Sequence, residues 1–182
     1  MTIWFTADHH FGHANIIGYT GRPFSSCEEM DEEMIRRWNI VVGRKDRVYH
    51  LGDFSLRSPA IAAVYWDRLA GHKFLVPGGH DRLPKEPSQW PVEILPPLVT
   101  VNVGRPIVLC HYPMLSWDRS HYGVAHFHGH CHGTIGKVTP RGDLQSPPGQ
   151  KSGRRLDIGV DCWAFAPVSL DGALAALEDI DA

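Results

Sequence analysis

Five groups of metal-ligand residue types recur along the chain: Asp8-His9-His10, Gly52-Asp53, Gly78-Gly79-His80-Asp81, His111 and Gly129-His130-Cys131-His132. Carboxylates and imidazoles are borderline oxygen and nitrogen donors, suited to Mn, Fe, Co, Ni or Zn rather than Ca or Mg. Each group sits at the end of a short apolar run: Ile3–Ala7, Val48–Leu51, Phe74–Val76, Ile107–Cys110 and Val124–Phe127. Runs of this length, bounded by Gly or polar residues, read as buried strands. Strands that stop together deliver distant residues to one point, and ligands in open α/β sheets lie beyond the carboxyl ends of the strands. The pattern predicts a two-metal hydrolytic site.

In this order the groups resemble the calcineurin-like metallophosphoesterases, whose pattern is D-x-H, G-D, G-N-H-[DE], a lone His, then G-H-x-H. The counterparts are Asp8 and His10, Gly52-Asp53, Gly78 to Asp81, His111, and Gly129 to His132. Trp4 to Ile17 and Leu156 to Trp163 narrow the likeness to the small bacterial and phage branch of that family. The resemblance implies an α/β fold: an α/β/β/α sandwich of two mixed sheets flanked by helices. It implies two divalent ions, Mn first and Fe, Zn, Ni or Co as alternatives. Asp8, His10 and His132 would hold the first ion and His111 and His130 the second, with Asp53 bridging. His80 would contact phosphate and protonate the leaving group. The implied activity is hydrolysis of phosphodiester or phosphomonoester bonds of small nucleotide-like substrates, by in-line attack of a metal-bound hydroxide.

Gly79 departs from the pattern, which has Asn there. Three readings stand: two ions with water replacing the amide, one tightly held ion with narrower activity, or an inactive metal-binding module. On the first two, Gly79→Asn strengthens the second ion's site. A backbone with φ > 0 at Gly79 is a further reason for glycine. Asp81 either orients the His80 ring or caps a turn. His13 and Asn15 are candidate substrate contacts just past the first ligands. Arg22, Arg82, Arg119, His121 and His126 are candidate phosphate contacts, since Arg matches phosphate geometry; taken singly, each better suits a surface or packing role.

The 182 residues carry a net charge of −2, with 43% hydrophobic and 10% aromatic residues, which fits one soluble domain spanning 1–182. Without a clustered Lys/Arg footprint, strong general nucleic-acid binding is not expected, and a nuclease is the less favoured alternative. Four scattered cysteines form no disulfide framework, and Cys131 reads as a spacer between ligands. With no leader or membrane-spanning run, the expected location is cytoplasmic, and the expected partner is a small phosphoester.

Helices are expected over Cys27 to Ile40, with Ser26 and Glu29 as a capping box, over Pro59 to Ala70 behind Ser58, and over Leu170 to Ile180 behind Ser169. Leu98–Val103 and Ile107–Cys110 read as a hairpin, and Arg155–Val160 as a half-buried strand. The chain from His10 to Tyr19, the five-proline segment Leu83–Pro97, and Gly136–Arg155 read as loops.

Overall fold

The computed structural model describes residues 1–134 and 154–181. Its first part alternates strands and helices: β1 (Ile3–Thr6), α1 (Asn15–Thr20), α2 (Cys27–Val41), β2 (Arg47–His50), α3 (Pro59–Arg68), β3 (His72–Leu75) and β4 (Glu93–Ile94). Then follow β5 (Leu98–Asn102), β6 (Pro106–Cys110), β7 (Ala125–His128), β8 (Arg155–Asp157), β9 (Val168–Ser169) and α4 (Leu170–Asp181). One sheet runs β4-β3-β2-β1-β9, parallel except for β9; the other runs β5-β6-β7-β8, parallel except for β5. Two mixed sheets flanked by helices make an α/β sandwich.

The period-two alternation of β2 decides how the layers pack. Val48 points into a cluster with Met30, Met34 and Trp38 of α2 and Trp66 of α3, whereas Tyr49 and Leu51 join Phe5, Ile107, Leu109 and Phe127 between the sheets. The Met30, Met34, Trp38 stripe is therefore core. Phe54 lies flat on Trp66 at 3.5 Å between ring centroids. Ala173 and Leu177 of α4 complete the second cluster.

The caps differ in detail from expectation. Ser26 accepts from the Glu29 amide at 3.1 Å, but the Glu29 carboxylate turns back to the Ser25 amide, one residue earlier, at 2.8 Å. Ser58 makes no side-chain cap; Pro59 and the basic last turn serve α3 instead, with Lys73 Nζ donating to the carbonyls of Trp66 and Leu69. Ser169 Oγ accepts from the Gly172 amide at 3.1 Å.

Four boundaries are corrected. The loop expected through Tyr19 contains α1, a six-residue helix that buries Ile16 and stops at left-handed Gly21 (φ 66°). Leu83–Pro97 is not all irregular: Trp90 and Val92 are buried, Trp90 Nε1 donates to the Pro59 carbonyl at 2.8 Å, and β4 adds in parallel to β3. Prolines restrict a strand to a sheet edge rather than forbid one, and β4 is an edge. The strand expected over Arg155–Val160 ends at Asp157, after which Val160–Cys162 forms a 3-10 turn. β9, only two residues long, gave no periodic signal. The loop expected over 136–155 lies almost wholly outside the described residues.

Candidate metal centre

Asp8 and His10 follow β1, Asp53 follows β2, His80 follows β3, His111 follows β6, and His130 and His132 follow β7. All five strand ends in question are carboxyl ends, so the loops of both sheets meet at one rim of the sandwich. There the side chains fall into two triads. Ligand atoms of Asp8, His10 and His132 lie within 4.8 Å of one another, as do those of Asp53, His111 and His130. Asp53 Oδ2 stands between them, 3.7 Å from His10 Nε2 of one triad and 3.4 Å from His111 Nε2 of the other. His80 Nε2 lies 3.8 Å from the same oxygen.

The backbone is bent to make this happen. Asp8 (φ 61°), His10 (φ 55°), Asp53 (φ 54°), His130 (φ 73°) and His132 (φ 48°) are left-handed, so five of the six triad residues occupy a region disfavoured for side chains. Left-handed backbone costs an L-residue roughly 1–2 kcal/mol, less for Asp and His than for most, and such strain concentrates at functional sites. Neighbouring hydrogen bonds hold it: the Asp8, His10 and Phe11 amides donate to the carbonyls of Gly52, Asp53 and Phe54 at 2.9–3.0 Å. Gly52 (φ 87°) lets the β2 loop lie against Gly78, where an added Cβ would come within 2.4 Å of the Gly78 nitrogen. The Asp81 carboxylate ties both loops by accepting from the amides of Asp53, Phe54 and Gly78 at 2.8–2.9 Å. Asp81 is thus a turn cap and does not orient the His80 ring.

Behind the triads lies a layer that the sequence reading missed. Asp161 Oδ2 accepts a hydrogen bond from His132 Nδ1 at 2.7 Å, and the Arg22 guanidinium grips both Asp161 oxygens at 2.8 Å while donating to the carbonyls of Asp8 (2.7 Å) and His9 (3.0 Å). His111 Nδ1 donates to the Leu51 carbonyl at 2.7 Å, which leaves Nε2 facing Asp53. His50 accepts the Gly52 amide on Nδ1 (3.2 Å) and meets His9 Nδ1 at 2.9 Å through Nε2, inside the aromatic core. The signals were faint: Asp161 lies within Leu156 to Trp163, and His50 ends an apolar run, but neither belongs to a ligand pattern.

Burial lifts the Asp8 carboxyl to about 7, against the pull of His132 and His111 and the hydrogen bond from the His130 amide. Burial also opposes ionisation of Asp53, but attraction from the His111 ring 3.4 Å away, with the His80 amide, holds it well below the usual carboxylate range. Burial keeps His10 neutral. For His132, burial is outweighed by the hydrogen bond it donates to Asp161 and the charge of Asp8, and its pKa rises. Both His10 ring nitrogens and His111 Nε2 are buried without a hydrogen-bond partner. Lone pairs aimed inward, beside a buried carboxylate with no full counter-charge, are what a divalent cation satisfies, and the donor set fits one. Cys131, between two triad histidines, has a buried thiol pushed up to about 11 and belongs to neither triad.

The remaining expected contacts divide. His80 is half exposed at the rim, and its amide donates to Asp53 Oδ1 at 3.0 Å. His13 stands 5.7 Å from His10, ring to ring, and Asn15 is exposed at the start of α1. Arg22 is corrected: it is 4% exposed and committed to Asp161 and the loop carbonyls, so it does not face substrate. Arg119 and His121 are also corrected. They precede β7, and the adjacent Tyr122 and Gly123 share a surface cavity with Gly104, Arg105 and Pro106 at the start of β6, the end opposite His111. A parallel crossover must return to the amino end of its next strand, which carries this segment away from the rim. His126 is buried on β7 beside Trp117 and bonds the backbone of Val108 and Met114. Gly79 is not among the glycines with positive φ; instead, a Cβ there would meet the Tyr112 hydroxyl at 2.9 Å.

No protein-family model matches the chain. The uncharacterized protein MJ1445 of Methanocaldococcus jannaschii is 33% identical over 178 residues, spanning 97% of this chain and 91% of that protein. The chain belongs to the MJ1445 family. The Gene 66 protein of Mycobacterium phage D29 is 25% identical over 207 residues, covering 98% of this chain and 97% of its own. The crystal structure of the protein of unknown function AQ665 from Aquifex aeolicus superposes with a TM-score of 0.69 at 21% identity, over 96% of this chain and 98% of that one, and shows the same fold. No helix among the described residues is long and apolar enough to cross a membrane.

Proposed function

We propose that this protein is a metal-dependent phosphoesterase that holds two divalent ions, manganese foremost, and cleaves phosphodiester or phosphomonoester bonds of small nucleotide-like substrates. The observation that carries the reading is the Asp53 carboxylate oxygen standing between two triads of metal-ligand side chains, with a half-exposed imidazole beside it. Asp8, His10 and His132 would hold one ion and His111 and His130 the other, with Asp53 facing both, and the ions would supply charge stabilisation at the phosphoryl group and an acidified water near neutral pH.

The residues divide the remaining work. Asp53 is ionised at all ordinary pH and supplies the negative charge that holds both cations close. The Leu51 carbonyl and the Asp161 carboxylate fix the tautomers of His111 and His132, so that each presents Nε2 to its triad. His80, held by its amide on Asp53 but with its ring open to solvent, is placed to hand a proton from its imidazole to the departing oxygen. Beside His13, an open surface depression of about 500 Å³ is lined by Asn15, Tyr19 and Ser26.

Metal-free protein titrated with Mn²⁺ should gain hydrolysis of an aryl phosphodiester or monoester, and His80→Ala should lose most of it while retaining metal. Failure of Mn, Fe, Co, Ni and Zn alike to support turnover would refute the reading.

A further inference from the structure

Tyr112 has no role in the reading so far, yet its position is specific. It follows His111 directly, and its ring meets those of His111 and His130 edge-on, each at 4.8 Å between centroids. Both are members of the triad that Asp53 completes. The phenol reaches across the rim to Gly79, where its hydroxyl lies 2.9 Å from the point a Cβ would occupy. That is closer than a real Cβ sits, so a side chain at 79 would push aside the hydroxyl, the free end of a half-exposed side chain. The next residue back, Gly78, forms the wall of the same triad, since a Cβ there would fall 2.4 Å from Asp53 Oδ1. Among the described residues the Tyr112 hydroxyl makes no hydrogen bond to protein, and the side chain is 47% exposed.

A polar group steered to a reaction rim by two ligand imidazoles, and left unclaimed by the protein, is available to a substrate. We propose that Tyr112 is a substrate-binding and catalytic residue whose hydroxyl donates a hydrogen bond to a non-bridging phosphoryl oxygen beside the Asp53–His111–His130 triad, and that Gly79 is glycine to leave room for it. The ligand class is a phosphoryl group, and the proposal rests on the phosphoesterase reading. It gives the absent side chain at 79 a positive purpose: the donor comes from the β6 loop instead of the β3 loop. Gly79→Asn, expected from the sequence to strengthen the site, would then weaken it by displacing the phenol.

The experiment is a double-mutant cycle on Mn²⁺-loaded protein with Tyr112→Phe, Gly79→Ala and the double variant. It reads bound Mn²⁺ per chain, inorganic phosphate affinity by calorimetry, and kcat and KM on an aryl phosphodiester. Phe keeps the ring contacts and removes only the hydroxyl. Each single variant should keep its full metal content, bind phosphate about tenfold more weakly and lose roughly 10²-fold in kcat. The double variant should be no worse than Tyr112→Phe, because without a hydroxyl the added methyl meets nothing. Tyr112→Phe with wild-type phosphate affinity and turnover would overturn the proposal while leaving the phosphoesterase reading intact. Loss of an ion in that variant would also overturn it, by making the hydroxyl a metal ligand. A wild-type protein that holds Mn²⁺ but neither binds phosphate nor turns over would sink both.

Discussion

Asp8, His111 and His132 each hold a proton more tightly in the metal-free protein than such groups ordinarily do, and each must release it to become a ligand. Burial brings the Asp8 carboxyl to about 7, so it is protonated below neutrality, and His132 is raised by Asp161 and Asp8 against its burial. The sign follows: metal affinity should climb as pH rises through about 7, and uptake near pH 6.5 should release about one proton or more per chain. Calorimetry in buffers of different ionisation enthalpy measures this directly, and an apparent binding enthalpy independent of buffer would contradict it. Asp161→Asn tests the support behind His132. It removes the charge that fixes the ring tautomer while keeping an oxygen for Arg22, and should weaken metal binding about 10–100-fold with the fold retained; a Mn²⁺ titration shows whether it does. At this scale the sequence was informative wherever chemistry demands a residue type, which is why Asp8, His10, Asp53, His111, His130 and His132 were nominated together. Asp161, His50 and Tyr112 escaped because positioning a ligand, unlike being one, leaves no fixed spacing. Of the two roles open to Arg22 the structure takes packing, since a guanidinium suits a buried carboxylate and backbone carbonyls as well as it suits phosphate.

Elements with strong periodicity or caps were legible, and short ones were not. α2 shows both a four-residue apolar stripe and a cap, and its start coincides with the expected Cys27. β4 and β9, two residues each, exist because neighbouring strands offer them hydrogen bonds, a tertiary cause that no local pattern carries. α1 likewise depends on burying Ile16 rather than on capping, since Ala14 offers no side-chain cap. The two serine positions make a paired prediction. Ser26→Ala removes the acceptor of the Glu29 amide and should lower unfolding stability by about 1 kcal/mol. Ser58→Ala removes no cap and should change it by less than about 0.5 kcal/mol. Urea denaturation of both variants is the check, and equal losses would mean that the cap assignments are wrong.

Across the whole molecule, each triad draws on both sheets. Asp8 and His10 come from the sheet built on β1 and β2, and His132 from the sheet built on β6 and β7; Asp53 likewise faces His111 and His130 across the sandwich. Bound ions would therefore staple the two layers at the rim where five left-handed residues concentrate strain. Free Mn²⁺ at 100 times its dissociation constant should raise the unfolding free energy by about 2.7 kcal/mol per site, and Asp53→Asn should forfeit most of that gain because an amide cannot neutralise the cations it faces. Chelator and metal titrations of thermal unfolding, on both proteins, separate these outcomes. The central claim, that one carboxylate joins two three-residue metal sites, is tested most directly by anomalous diffraction from crystals grown with Mn²⁺. The account predicts two anomalous peaks about 3.5–4 Å apart, one among Asp8, His10 and His132, the other among His111 and His130, with Asp53 touching both. A single peak, peaks not shared by Asp53, or no metal at this rim would contradict it.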